Sequence, residues 1–76
     1  MTHFLLVYDQ AAGRVLLIEE FADADRWAAL DKRFALEREH ADDPNLEVIV
    51  LSASDRAALE ATHSRYFKDV QELASG

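Results

Sequence analysis

The sequence predicts an α+β fold in which a three-stranded mixed sheet and two helices follow one another in the order ββαβα. Two apolar runs flank a short turn near the start of the chain, and a third apolar run lies at 48–51. Two further stretches, one before and one after that third run, repeat apolar residues at helical spacing. The pattern covers residues 1–76 as a single small domain, of which 74–76 are expected to fray.

The first two strands form a predicted β-hairpin. They are expected at His3–Asp9 and Arg14–Glu20, where Asp9 can accept hydrogen bonds from the turn amides and Gly13 can adopt a positive φ. Such a turn joins two neighbouring antiparallel strands.

Both faces of this hairpin are apolar. In the first strand Phe4, Leu6 and Tyr8 alternate with Leu5 and Val7. In the second strand, the same alternation pairs Val15 with Leu17 on one face and Leu16 with Ile18 on the other. A hairpin of this kind needs cover on two sides.

The first helix is predicted to begin at Asp23 or Asp25, because aspartate caps exposed amides, and to end near His40 or Ala41. Pro44 then forces a turn. At 100° per residue, one stripe predicts the face that packs on the sheet, and Ala29 and Leu36 lie opposite it. The stripe consists of Trp27, Leu30, Phe34 and Ala41.

The third strand is predicted at Glu47–Ser52, and the second helix from about Asp55 to Leu73. Ser52 and Asp55 have the spacing of a capping box, with Ser54 as an alternative cap. The apolar stripe of this helix comprises Leu59, Thr62, His63, Tyr66, Val70 and Leu73, with Phe67 beside it.

A helical crossover between the second and third strands predicts that these two strands run parallel, which makes the sheet mixed. The strand order is 1-2-3 or 2-1-3, and the apolar first strand favours 2-1-3. Two helices on opposite faces would close the core of a monomer. Two helices on one face would leave an apolar face bare, which soluble monomers rarely tolerate. The sequence favours the second arrangement and therefore a homodimer.

Composition limits the function classes. The formal net charge is −7, from 15 acidic and 8 basic residues, which disfavours binding to nucleic acid. There is no cysteine, and no apolar run approaches the roughly 20 residues of a membrane span. We therefore expect a cytoplasmic protein without membrane contact. The two glycines, Gly13 and Gly76, form no phosphate loop, and the sequence predicts no cofactor and no metal site.

Two groups of residues are candidates for binding. The densest mixture of aromatic and polar side chains is His63, Arg65, Tyr66 and Phe67, and Trp27 is a further candidate as an interface anchor. An acidic group between the second strand and the first helix could meet a basic partner. It consists of Glu19, Glu20, Asp23 and Asp25.

The sequence supports three functional hypotheses. The first is a non-catalytic protein-interaction or regulatory module that self-associates and can bind a protein partner. The second is a small ligand-binding protein or enzyme whose site, around His63, Arg65 and Tyr66, is shared between protomers. The third is an acidic inhibitor that mimics nucleic acid.

Overall fold

The computed structural model describes residues 1–67 and has the α+β architecture that the sequence predicts. Its strands are β1 (Thr2–Asp9), β2 (Arg14–Phe21) and β3 (Leu46–Ala53), in the spatial order β2-β1-β3. The favoured strand order is thus confirmed, and the apolar β1 lies at the centre of the sheet.

The sheet is antiparallel, so the prediction of a mixed sheet was wrong. β1 pairs antiparallel with both β2 and β3. Strands β2 and β3 do run in the same direction, as the crossover requires, but β1 separates them. No neighbouring pair within residues 1–67 is therefore parallel.

The hairpin turn forms as predicted. The Asp9 carboxylate accepts hydrogen bonds from the amides of Ala11 at 3.0 Å and Ala12 at 3.1 Å. The amide of Gly13 donates to the carbonyl of Asp9 at 2.8 Å, and Gly13 has a φ of +69°. A residue with a Cβ atom is strained at that φ, which explains the glycine.

A bulge in β2 changes which of its residues face the core. The register shifts between Val7, which pairs with Leu17, and Tyr8, which pairs with Val15. The extra residue breaks strict alternation. As a result Val15 packs with Ile18 against the same cluster rather than sharing a face with Leu17, and Leu16 and Leu17 are both exposed.

Helix α1 (Arg26–Glu39) follows a 3₁₀ turn at Asp23–Asp25. Neither Asp23 nor Asp25 caps a helix with its side chain, contrary to the prediction: Ala22 precedes the 3₁₀ turn, and Asp25 precedes α1 without a side-chain hydrogen bond.

Helix α2 (Arg56–Thr62) is much shorter than predicted. Asp55 is its N-cap and accepts a hydrogen bond from the Ala58 amide at 2.8 Å, whereas Ser52 lies in β3. The helix ends where the Thr62 hydroxyl bonds back to the Ala58 carbonyl at 2.9 Å and His63 leaves helical geometry.

A second 3₁₀ turn (Ser64–Phe67) follows α2 and buries two successive aromatic rings, Tyr66 and Phe67. A continuous helix would point neighbouring side chains about 100° apart. The predicted positions Val70 and Leu73, and the predicted fraying of 74–76, lie outside the described residues.

The helices cover opposite faces of the sheet. Leu59, Tyr66 and Phe67 join Phe4 and Leu6 in one buried cluster. On the other face, Leu36 of α1 packs against a cluster of Leu5, Val7 and Val48. The bare sheet face on which the homodimer prediction rested does not form. Among residues 1–67, no helix has the length and apolar character needed to cross a bilayer.

Candidate functional site

The outer surface of α1 carries large apolar side chains. Trp27 is 66% exposed and Phe34 is 55% exposed, and the half-buried Leu30 lies between them. We call Trp27, Leu30 and Phe34 the aromatic stripe. Their spacing of three and four residues places them in one row along the helix. The Arg26 guanidinium lies 5.2 Å from the centre of the Trp27 ring.

The prediction that this stripe packs on the sheet was wrong, because α1 is rotated. Its fully buried residue is Ala29, and Leu36 packs into the cluster beneath the helix. Lys32 forms an ion pair with Glu19 of β2, so this side of the helix faces that strand. The small Ala29 side chain lets the helix lie close to the sheet, where a tryptophan at that position would not fit.

The predicted binding residues separate into two places. Arg65, Tyr66 and Phe67 lie in the second 3₁₀ turn, and the half-buried His63 ends α2. Trp27 lies with α1 on the opposite face, so the structure does not bring it to them. Phe67 is 2% exposed and acts as a core residue.

Tyr66 is the centre of a polar cluster that contains the predicted Arg65 and also Glu47, which the sequence does not mark. Its hydroxyl donates to Glu47 Oε2 at 3.0 Å, and the Arg65 guanidinium lies 3.4 Å from the same oxygen and 4.6 Å from the Tyr66 ring centre. The Tyr8 ring meets the Tyr66 ring edge-on, with their centres 4.9 Å apart. Burial, followed by the hydrogen bond to Glu47, raises the pKa of Tyr66 above its ordinary value.

Beside this cluster is a small pocket of about 150 Å³ between β2 and the second 3₁₀ turn. Residues 15–18 form one wall, and Arg56, Tyr66 and Phe67 complete the lining. The Arg56 guanidinium lies 5.8 Å from the centre of the Phe67 ring. The pocket is too small for the drug-sized ligands that fill typical binding sites of about 300–1,000 Å³.

The four predicted acidic residues do not form one surface. Glu19 pairs with Lys32 on the α1 side of the sheet, whereas its neighbour Glu20 projects to the opposite face. Asp23 contacts His3 and the N-terminal amine. A dispersed and partly paired set gives no support to mimicry of a nucleic acid.

His3 joins Ser52 and Asp23 in a hydrogen-bonded row that sequence reasoning missed. His3 Nδ1 lies 2.7 Å from Ser52 Oγ, and His3 Nε2 lies 2.9 Å from Asp23 Oδ1. The hydrogen bond from His3 and the positive N-terminal amine lower the pKa of Asp23. The only signal for this row is the pairing of β1 with β3, which sets His3 opposite Ser52.

Within residues 1–67, histidine and carboxylate side chains form no group of three or more that could hold a metal ion. Comparison of the chain with family models, with curated proteins and with solved structures gives no match. The function of this protein must therefore be inferred from the geometry of its surfaces.

Proposed function

We propose that this protein is a small non-catalytic interaction module whose binding surface is the aromatic stripe of α1. The observation that carries the proposal is the exposure of Trp27 and Phe34 on a helix whose opposite face already packs on the sheet. These rings contribute little to the core of the single chain, and they form a contiguous apolar row of the kind that marks protein interfaces.

The stripe has the chemistry of an interface anchor. Burying a large apolar side chain is worth about 1.5–3 kcal/mol, and tryptophan is enriched among the residues that dominate binding energy. Apolar residues at positions i, i+3 and i+7 of a helix are the usual pattern by which one helix docks onto an apolar surface. Arg26, stacked on Trp27, adds a charged rim to this surface.

Affinity capture from lysate of the source cells, with quantitative mass spectrometry, tests the proposal. Phe34→Glu should lose the proteins that the unaltered chain captures. Ala35→Glu is the matched control, because Ala35 is exposed on the same helix but points about 100° away from Phe34. Equal capture by both variants would remove the stripe as the binding surface.

A second candidate function, hydrolysis of an activated ester, is favoured by the row formed by Ser52, His3 and Asp23. If His3 Nε2–H donates to Asp23, then Nδ1 can accept the Ser52 proton as the hydroxyl attacks a carbonyl carbon. The proton then passes to the departing alkoxide, and water hydrolyses the acyl-serine. Both Ser52 and Asp23 are exposed to water, which weakens the electrostatic contribution that catalysis needs and ranks this candidate second.

The test is the rate of p-nitrophenyl acetate hydrolysis by purified protein. If Ser52 is the nucleophile, Ser52→Ala should lower the rate to that of free imidazole. Ser54→Ala, two residues along the chain and also exposed, should retain the full rate. Identical rates for the unaltered protein and both variants would assign the row a structural role, in which it ties the 3₁₀ turn before α1 to the end of β3.

A further inference from the structure

We propose that the partner of the aromatic stripe is a second copy of this chain, joined by antiparallel pairing of β3 with β3 about a two-fold axis. The pairing would create a continuous six-stranded sheet in which the two α1 helices pack side by side. This inference rests on the proposed function, since it names the partner of the same surface. Five features of the described residues support it.

The two edges of the sheet differ in their protection against strand pairing. β2 carries a bulge and three charged residues, Arg14, Glu19 and Glu20, which are devices that block edge-to-edge association. β3 pairs with β1 in an unbroken eight-residue register and contains a single charge, at Glu47. Its outer edge has no strand partner within residues 1–67. An edge of that length and composition is a template for a further strand.

The lateral position of α1 suits a dimer at this edge. The helix packs mainly over β3 and β1 and less over β2. Strands lie about 4.8 Å apart, so a helix over the gap between β1 and β3 lies about 4.8 Å from an axis placed just outside β3. The two copies of α1 would then be about 9.6 Å apart, within the 8–10 Å spacing of packed helices.

Leu30 of the aromatic stripe lies on the flank of α1 that faces this axis, and the two aromatic rings lie above that flank. Lys32 points toward β2, because it pairs with Glu19. Leu30 lies about 160° around the helix from Lys32 and about 100° from the buried Ala29, which places it on the flank away from β2. Trp27 and Phe34 lie about 160° and 140° from Ala29, on the outer side of the helix above that flank. Leu30 lies between them at the point where the two helices approach most closely.

A single two-fold axis is consistent with both the pairing of the β3 strands and the packing of the α1 helices. The contact of Asp23 with His3, which pairs with Ser52, places the start of the helical segment at the C-terminal end of β3. The midpoint between Trp27 and Phe34 lies about 12 Å further along. At about 3.3 Å per residue, that distance reaches the middle of β3.

The charges at the two ends of α1 complement each other in this arrangement. The helices run antiparallel, so Trp27 of one copy lies across from Phe34 of the other. Measured along α1 from the axis, Arg38 lies about 11 Å toward the C-terminal end of the helix. The acidic turn Asp23–Asp25 lies about the same distance toward the N-terminal end. Arg38 of each copy therefore meets the acidic turn of the other copy.

The test is sedimentation equilibrium of the full chain from about 1 µM to 1 mM, together with hydrogen exchange of the strand amides at both ends of that range. The chain has a mass of 8.6 kDa, so the dimer has twice that mass. We expect Phe34→Glu to raise the dimer dissociation constant about 30-fold or more, as loss of a dominant interface contact does. Ala35→Glu should leave the dissociation constant within about twofold, because Ala35 lies about 60° around the helix from Lys32, on the flank that faces away from the axis.

Hydrogen exchange identifies the edge that pairs. In the proposed dimer, amides of β3 gain protection as concentration rises and those of β2 do not. A dimer without that change, or one that Phe34→Glu and Ala35→Glu affect equally, would overturn the proposed geometry. A monomer at all concentrations would overturn self-association. In that case stripe-dependent capture of a different protein would leave the proposed function standing, and loss of that capture as well would remove both.

Discussion

The two helical layers bury different numbers of side chains, and the layer with the longer helix buries fewer. α1 has 14 residues and fully buries only Ala29, whereas α2 has 7 residues and, with the following 3₁₀ turn, buries Leu59, Tyr66 and Phe67. α1 leaves its aromatic rings in solvent, and the α2 layer places its rings against β1. Buried side chains, rather than helix length, therefore determine which layer stabilises the sheet.

Matched leucine substitutions in the two layers test this comparison most strongly. Leu59→Ala should lower the free energy of unfolding by about 2–5 kcal/mol, because Leu59 is fully buried and its truncation leaves a cavity. Leu36→Ala in α1 should cost less, about 1–2 kcal/mol, since Leu36 is only half-buried. Urea unfolding followed by circular dichroism, at a low protein concentration, measures both values. Equal losses would contradict the unequal roles of the layers.

The polar contact of the α2 layer gives a pH-dependent test. Tyr66→Phe should cost about 1–2 kcal/mol at neutral pH through loss of the hydrogen bond to Glu47. Because the folded protein raises the pKa of Tyr66, this contribution is complete below a pH of about 10, where an unfolded tyrosine ionises, and is lost as pH rises through the folded pKa.

The unfolding free energy of the unaltered protein should therefore fall more steeply than that of Tyr66→Phe between pH 9 and pH 11. Chemical unfolding at three pH values in that range gives the comparison. Parallel curves for the two proteins would show that Tyr66 does not titrate with a raised pKa.

The N-caps of the two helices predict the smallest difference. Asp55→Ala should destabilise the protein by about 1 kcal/mol, because the Asp55 carboxylate accepts a hydrogen bond from the Ala58 amide at the start of α2. Asp25→Ala is the matched control and should change stability by less than about 0.5 kcal/mol, since Asp25 makes no side-chain cap bond. Thermal unfolding midpoints rank the two variants, and the reverse ranking would contradict the assignment of the caps.

Local features of the chain could be predicted because their causes lie within a few residues. The hairpin depends on Asp9 and Gly13 in one turn, and the two faces of β1 follow from the alternation of its side chains. The early end of α2 was missed, because the apolar spacing continues past Thr62 while the chain bends at His63. Burial of both Tyr66 and Phe67 against the sheet outweighs the helical pattern there.

The candidate site was less predictable, because its residues come from separate elements. The sequence marks Trp27 as an anchor but also predicts that its stripe packs on the sheet. Both cannot hold, and only the burial of Ala29 and the packing of Leu36 show which face of α1 is inside. Likewise, His3 and Ser52 are 49 residues apart in the chain and meet only through strand pairing.

By itself, the sequence determined the order of elements, the hairpin, the two apolar faces of β1 and the acidic net charge, since these depend on neighbouring residues and composition. The tertiary structure alone decided the rotation of α1, the bulge in β2 and the placement of the helices on opposite faces of the sheet. Each of these outcomes depends on how side chains that are distant in the sequence pack together over the sheet. The spacing of residues along the chain does not specify that packing.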